Sequence, residues 1–187
     1  MRVTGGTARG VPIRTPSRPG VRPTMDRVRS ALFSILAPMG MENAVVADLF
    51  AGTGSLGIEA LSRGAAHADF VESNTRQCAD IRASLQATKF LELATVHETT
   101  VEHSLRILSG SYDFILMDPP YTQPFPVSVL EEIAGTGLLA PDAVLVVGHA
   151  SRVPSPERCG SLERWQDRRY GDSSLAFYHP ESPEKTL

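Results

Sequence analysis

At 187 residues the chain is long enough for one compact domain with a sizeable core, but short for two. With 42% hydrophobic and 21% charged residues it has the balance of an ordinary globular protein, and no apolar run approaches the roughly 20 residues of a membrane-spanning helix. The net charge of −3 hides an asymmetry: residues 1–30 hold Arg2, Arg9, Arg14, Arg18, Arg22, Arg27 and Arg29 against Asp26 alone, a net of +6, so the remainder carries −9. A cationic arm on an acidic body suggests a polyanionic partner, because the planar guanidinium fork binds two phosphate oxygens at once.

The opening residues lack the apolar core of a secretory signal. Cys78 and Cys159 lie far apart without metal-type spacing, and His67, His97 and His103 share no ligand spacing with any Cys or acid. Two free thiols, no metal site and a cytoplasmic setting are therefore expected.

Residues 1–23 are rich in Gly, Pro and Arg and read as a basic arm or short hairpin. Thr24 stands where a helix N-cap is expected, with Val28, Ala31, Leu32, Ile35, Leu36 and Met39 forming one apolar face up to about Pro38. Arg27 and Arg29 fall away from most of that stripe, so they could face a ligand. From residue 44 strands alternate with helices. Strands are expected at 44–49, 68–72, 94–97, 112–118 and 143–148, and helices at 56–63, 76–87, 101–108 and 127–134. In the helix at 76–87, Cys78, Ile81, Leu85 and Ala79 would point inward. Residues 162–170 and 174–179 would close the domain as a hairpin across Gly171-Asp172, followed by a frayed tail at 181–187. Such alternation argues an α/β fold over residues 24–180, with a mostly parallel sheet covered on both faces. Ligands should then bind beyond the carboxyl ends of the strands.

Two motifs sit at such ends. Gly52, Gly54 and Gly57 match a G-x-G-x-x-G turn that opens a helix, and Glu72 lies 20 residues after Gly52, where an acid can accept both ribose hydroxyls. The pattern serves any adenosine-bearing cofactor. Asp48 separates the candidates: it would repel a pyrophosphate at this turn but favour the sulfonium and α-ammonium of S-adenosylmethionine.

The second motif is Asp118-Pro119-Pro120-Tyr121. The prolines fix their φ angles and have no N–H, so no helix starting there can consume the neighbouring carbonyls. With the Asp118 carboxylate these make a rigid set of acceptors for an –NH2 group, beside an aromatic face on which a planar base can stack. An aromatic amine is a poor nucleophile while its lone pair is delocalised into the ring. Holding both hydrogens out of that plane restores lone-pair density and aims the nitrogen at a methyl carbon.

These motifs, together with Arg2-Val3-Thr4-Gly5-Gly6, Arg9-Gly10 and Arg22-Pro23-Thr24-Met25-Asp26-Arg27-Val28-Arg29, resemble the RsmD-type bacterial 16S rRNA guanine-N2 methyltransferases. The resemblance runs through nearly the whole chain. It implies a class I, Rossmann-like methyltransferase fold whose seven-stranded, mostly parallel sheet ends in a hairpin that makes one strand antiparallel. It implies S-adenosylmethionine as cofactor, held by Asp48, Phe50, Ala51, Gly52, Thr53, Gly54, Gly57, Glu72, Ser73 and Thr100. Asp118, Pro119, Pro120 and Tyr121 would hold the flipped guanine. Arg2, Arg9, Arg14, Arg18, Arg22, Thr24, Arg27 and Arg29 would clamp 16S rRNA, in a small-subunit particle and as a monomer.

Three places depart from the family pattern. Asn74 stands where relatives often have an acid, Thr99-Thr100 where an acid or amide meets the adenine, and Gly148-His149 at a position often carrying Glu. Arg168, Arg169, Tyr170 and Trp165 put charge and aromatics near one turn, suited either to RNA or to packing on the sheet edge. Two other classes stay open: an amino-methyltransferase acting on DNA adenine or a protein amide, and a non-catalytic nucleoside- or RNA-binding module.

Overall fold

The computed structural model describes residues 1–15 and 23–181, with side chains from Asp26 onward in the second stretch. Arg18, Arg22, the Thr24 side chain and the tail at 182–187 lie outside the described residues. Eight strands form a single sheet: β1 (Val45–Leu49), β2 (His67–Glu72), β3 (Ala94–Glu98), β4 (Tyr112–Met117), β5 (Leu139–Ala150), β6 (Arg158–Cys159), β7 (Leu162–Tyr170) and β8 (Ser173–Pro180). Their order is β3-β2-β1-β4-β5-β8-β7-β6. From β3 to β5 every pairing is parallel, and β8 runs antiparallel to both β5 and β7. The expected seven-stranded frame is therefore present, with the two-residue β6 added at the outer edge of β7.

Alternation along the strands fills both faces. Val46, Phe114, Leu116, Val144 and Val146 point to one side, where α1 (Pro23–Leu36), α2 (Ser55–Ser62) and α3 (Thr75–Thr88) cover them. Ala47, Leu49, Ile115, Met117, Leu145 and Val147 point to the other, under α4 (Val101–Ser104) and α5 (Val127–Gly135). On that second face the Asp69 carboxylate accepts from Tyr112 Oη at 2.8 Å and meets His97 Nε2 at 2.7 Å, tying β2 to β4 and β3.

The N-terminal segment is a hairpin built into the core. The Val3 N–H donates to Val11 O and the Gly10 N–H to Val3 O, and Val3, Ala8 and Ile13 are buried in the first cluster. Its anchor is Glu59, an acid with no exposed surface on α2. The Glu59 carboxylate accepts from the Thr4 N–H at 2.8 Å, the Thr4 hydroxyl at 2.7 Å and Arg63 Nε at 2.9 Å, and lies 3.4 Å from Arg29 Nε.

Several boundaries move. The first helix ends at Leu36 and continues as one tighter turn, Ala37–Met39, which leaves Met39 exposed, while Phe33 is fully buried. In α3, Ala79 faces solvent and Ser84 and Thr88 face inward instead, their hydroxyls bonding back to carbonyls one turn earlier. The helix expected at 101–108 shortens to Val101–Ser104, with Leu105 and Leu108 packing from the turns that follow. β5 begins at Leu139, four residues before its apolar run.

Candidate active site

The chain leaves β1 at Asp48-Leu49 and turns sharply. Phe50, Gly52 and Gly54 all have positive φ (60°, 55° and 70°). That is open to glycine and strained for phenylalanine, a departure that clusters at functional sites. Gly57 is close-packed: a Cβ there would lie 2.4 Å from the Phe70 ring. This brings α2 tight against β2 and lets Asp48 Oδ2 accept the Gly57 N–H at 2.8 Å. Asp48 is buried, so its carboxyl titrates well above the usual range; burial is the main cause, opposed by the Gly57 N–H and reinforced by the charges of Asp118 and Glu72.

Glu72, at the end of β2, faces the same turn. One carboxylate oxygen accepts the Gly52 N–H and the other the Asn74 N–H, both at 2.8 Å. These bonds orient the acid and leave lone pairs for a donor such as a ribose hydroxyl. Ala51 is buried and its N–H reaches Val71 O, Thr53 lies half-buried in the turn, and Ser73 is exposed beside Glu72. Asn74 caps α3 by accepting the Gln77 N–H, a task an amide performs as well as an acid. Thr100 caps α4 through the His103 N–H, and the Thr99 N–H bonds Glu72 O, so the third strand end is tied to Glu72.

β4 lies directly beside β1, pairing Leu49 with Met117, so Asp118 leaves β4 level with Phe50, where the Gly-rich turn begins. Its carboxyl is also raised by burial, with the Tyr121 hydroxyl opposing the shift. Tyr121 keeps 37% of its surface open, which leaves a ring face for stacking, while its hydroxyl turns inward towards Asp118 and Ser173. Burial and the Asp118 charge push that phenol up to about 12. Pro119 is buried and Pro120 exposed. One expectation needs correcting. The Pro120 carbonyl is taken by the Gln123 N–H at 3.0 Å in a turn, so the acceptor set is the Asp118 carboxylate with the Pro119 carbonyl, which has no donor among the described residues.

Sequence reasoning missed the part of the site built by β5 and β8. Gly148 sits against Asp118: a Cβ there would lie 2.7 Å from its Oδ1 and 3.4 Å from the Tyr121 hydroxyl. A side chain at that position would crowd the Asp118 carboxyl. His149 is buried and stacks edge-on against Phe125 at 5.3 Å, with Nδ1 on Val153 O at 2.9 Å, so it braces the loop after Tyr121. The signal available was Gly148 itself, a glycine directly after the apolar run Val144-Leu145-Val146-Val147.

The arginines divide. Arg9, Arg14 and Arg27 are exposed; Arg2 is exposed and donates to Gly10 O. Arg29 is corrected: it is 3% exposed, and its guanidinium is spent on Arg2 O, Asp26 and Met1 Sδ, near Glu59. It tethers the hairpin instead of facing a ligand.

A strand order with the nucleoside turn on β1, an acid on β2 and an acceptor cluster on β4 defines a class I methyltransferase, the class whose methyl donor is S-adenosylmethionine. Residues 1–179 match the model of the family described as conserved hypothetical protein 95. The chain is 30% identical over 181 residues to YlbH of Bacillus subtilis, described as an rRNA methyltransferase, covering 95% of this chain and 98% of that one. It is 33% identical over 147 residues to ribosomal RNA small subunit methyltransferase D of Escherichia coli K12, covering 79% and 73%. The solved structure of the methyltransferase YhhF from Escherichia coli superposes with a TM-score of 0.85 at 28% identity, over 97% of this chain and 98% of that one. The chain belongs to the conserved hypothetical protein 95 family, the RsmD type of rRNA methyltransferase.

Proposed function

We propose that this protein transfers a methyl group from S-adenosylmethionine to the exocyclic N2 of one guanine in 16S rRNA, acting as a monomer on an assembling small subunit. The observation that carries the reading is the Asp118 cluster: a partly buried carboxylate and a fixed Pro119 carbonyl beside an open tyrosine ring, one strand away from the Gly-rich turn. The residues present fit the cofactor. Glu72 is oriented for a ribose, the positive-φ glycines admit close approach, and three acids (Asp48, Glu72 and Asp118) give the site a negative potential suited to a cation.

S-adenosylmethionine supplies an electrophilic methyl carbon with a good leaving group. The protein's part is to position and polarise the amine. Tyr121 offers a stacking face worth about 1–3 kcal/mol to an unpaired base. The Asp118 carboxylate and Pro119 carbonyl accept the two amine hydrogens, turning the nitrogen lone pair towards the donor. Bound there, the donor would give its methyl to the held amine and leave as the thioether, while Asp118 and Pro119 keep the amine aimed at it. The proton lost from nitrogen passes to Asp118 or to solvent. Exposed Arg2, Arg9, Arg14 and Arg27, with Arg18 and Arg22 of the intervening segment, would meet the RNA backbone.

In a methyl-transfer assay on small-subunit particles lacking the modification, Asp118→Ala is expected to lower turnover at least 100-fold while S-adenosylmethionine still binds. Near-normal turnover would sink the reading.

A further inference from the structure

The target pocket does not end at Tyr121. Beyond its hydroxyl an open cleft of about 570 Å³ runs across the ends of β5, β8 and β7, lined by Tyr121, Ser151, Arg152, Arg169, Asp172 and Ser173. That volume lies within the range of small-ligand sites, roughly 300–1,000 Å³. Its wall is stitched together: the Ser151 N–H bonds Asp172 O at 2.9 Å and the Ser151 hydroxyl bonds Gly171 O at 3.0 Å, joining the end of β5 to the β7–β8 turn. Arg169 Nε donates to the same Gly171 carbonyl at 2.9 Å. That bond holds the guanidinium on the wall and leaves its outer fork without a partner among the described residues. Arg152 is exposed and, among the described residues, makes no ion pair. The Asp172 carboxylate also lines the cleft and opposes an anion there, two arginines against one acid.

The sheet order turns this into a track. Reading across the strand ends, the Gly-rich turn and Glu72 stand on β1 and β2, the acceptor cluster on β4, and the arginine wall on β5, β8 and β7. Resting on the reading of Tyr121 as the platform for the target base, we propose that Arg152 and Arg169 bind the phosphodiester groups next to the flipped guanine. The strand would thus be held on the side of the target opposite the cofactor. Arginine suits the task because its fork meets two phosphate oxygens. The occupant is a nucleic acid strand, favoured by charge and by continuity with the base pocket.

The test measures methyl transfer to unmodified small-subunit particles across a salt series, with S-adenosylmethionine affinity measured alongside. The double variant Arg152→Gln/Arg169→Gln is expected to raise KM for the particle on the order of tenfold, with kcat changed less. The slope of log affinity against log salt should flatten by about 0.7 for each single-strand phosphate that the variant no longer neutralises. Asp172→Asn, which removes the opposing charge, is expected to lower KM two- to threefold. An unchanged KM and salt slope in the double variant would overturn the proposal. So would an equal loss of cofactor affinity, which would place the defect in the fold. Failure of the unaltered protein to methylate the particle would defeat the functional reading first, and this proposal with it.

Discussion

Asp48 and Asp118 both hold their carboxyls where burial favours the neutral form. For a carboxyl whose folded pKa is raised, stability is greatest below the unfolded value and declines as pH rises through the folded one. Ionising Asp48 in the ligand-free protein therefore costs stability, a cost that a bound cation would offset. Asp48→Asn should raise the Tm of the ligand-free protein, or leave it unchanged, while weakening S-adenosylmethionine binding at least tenfold. Thermal melts with and without cofactor would check both. The same sign governs pH: cofactor affinity and kcat/KM should fall as pH drops through a range above the usual carboxylate values, when Asp48 and Asp118 become protonated. Flat profiles from pH 8 to 5 would show that these charges do no such work. At this scale the sequence was informative where a side chain acts on its nearest neighbours. Asp48, Glu72 and Asp118 could be picked out from strand ends. That Gly148 presses on Asp118, or that Arg29 turns inward, depends on pairing between distant segments and could not be read.

The N-terminal hairpin depends on one buried acid. Glu59 takes two hydrogen bonds from Thr4 and one from the partly exposed Arg63, and lies beside Arg29; Glu59 and Arg29 have almost no access to water. Removing one partner of a buried ion network typically costs about 3–5 kcal/mol. Glu59→Gln should lower stability by about 3 kcal/mol in denaturant unfolding and expose the hairpin to limited proteolysis before the rest of the domain. An unchanged cleavage pattern would mean that the apolar packing of Val3, Ala8 and Ile13 alone holds it. An acid inside the otherwise apolar Leu56-Gly57-Ile58-Glu59-Ala60-Leu61 was a visible signal of a buried partner. The elements themselves were legible wherever apolar period and punctuation agreed, as at β1, β4 and the final hairpin. They were misjudged where they disagreed. The apolar residues at 101–108 suggested two turns of helix, but only four residues form one. Ala79 was expected to point inward, yet Ser84 and Thr88 take the buried face, because they satisfy their hydroxyls within their own helix.

Across the whole molecule, strand alternation was enough to give the sheet and to place ligands at its carboxyl edge. The order of strands and the inward-turned hairpin came from packing. That order gives the proposed site its layout: the Gly-rich turn and Glu72 over β1 and β2, the Asp118 cluster over β4, and arginines at the far end. The charge asymmetry survives folding, since Arg2, Arg9, Arg14 and Arg27 remain exposed, although Arg29 does not. The central claim is that this arrangement methylates guanine N2 in small-subunit rRNA. The most direct measurement is mass spectrometry of rRNA from cells with and without the protein, repeated with the Asp118→Ala variant restored. The account predicts one N2-methylguanine in 16S rRNA, present with the intact protein and absent both in its absence and with the variant. An identical 16S modification pattern in all three would contradict it.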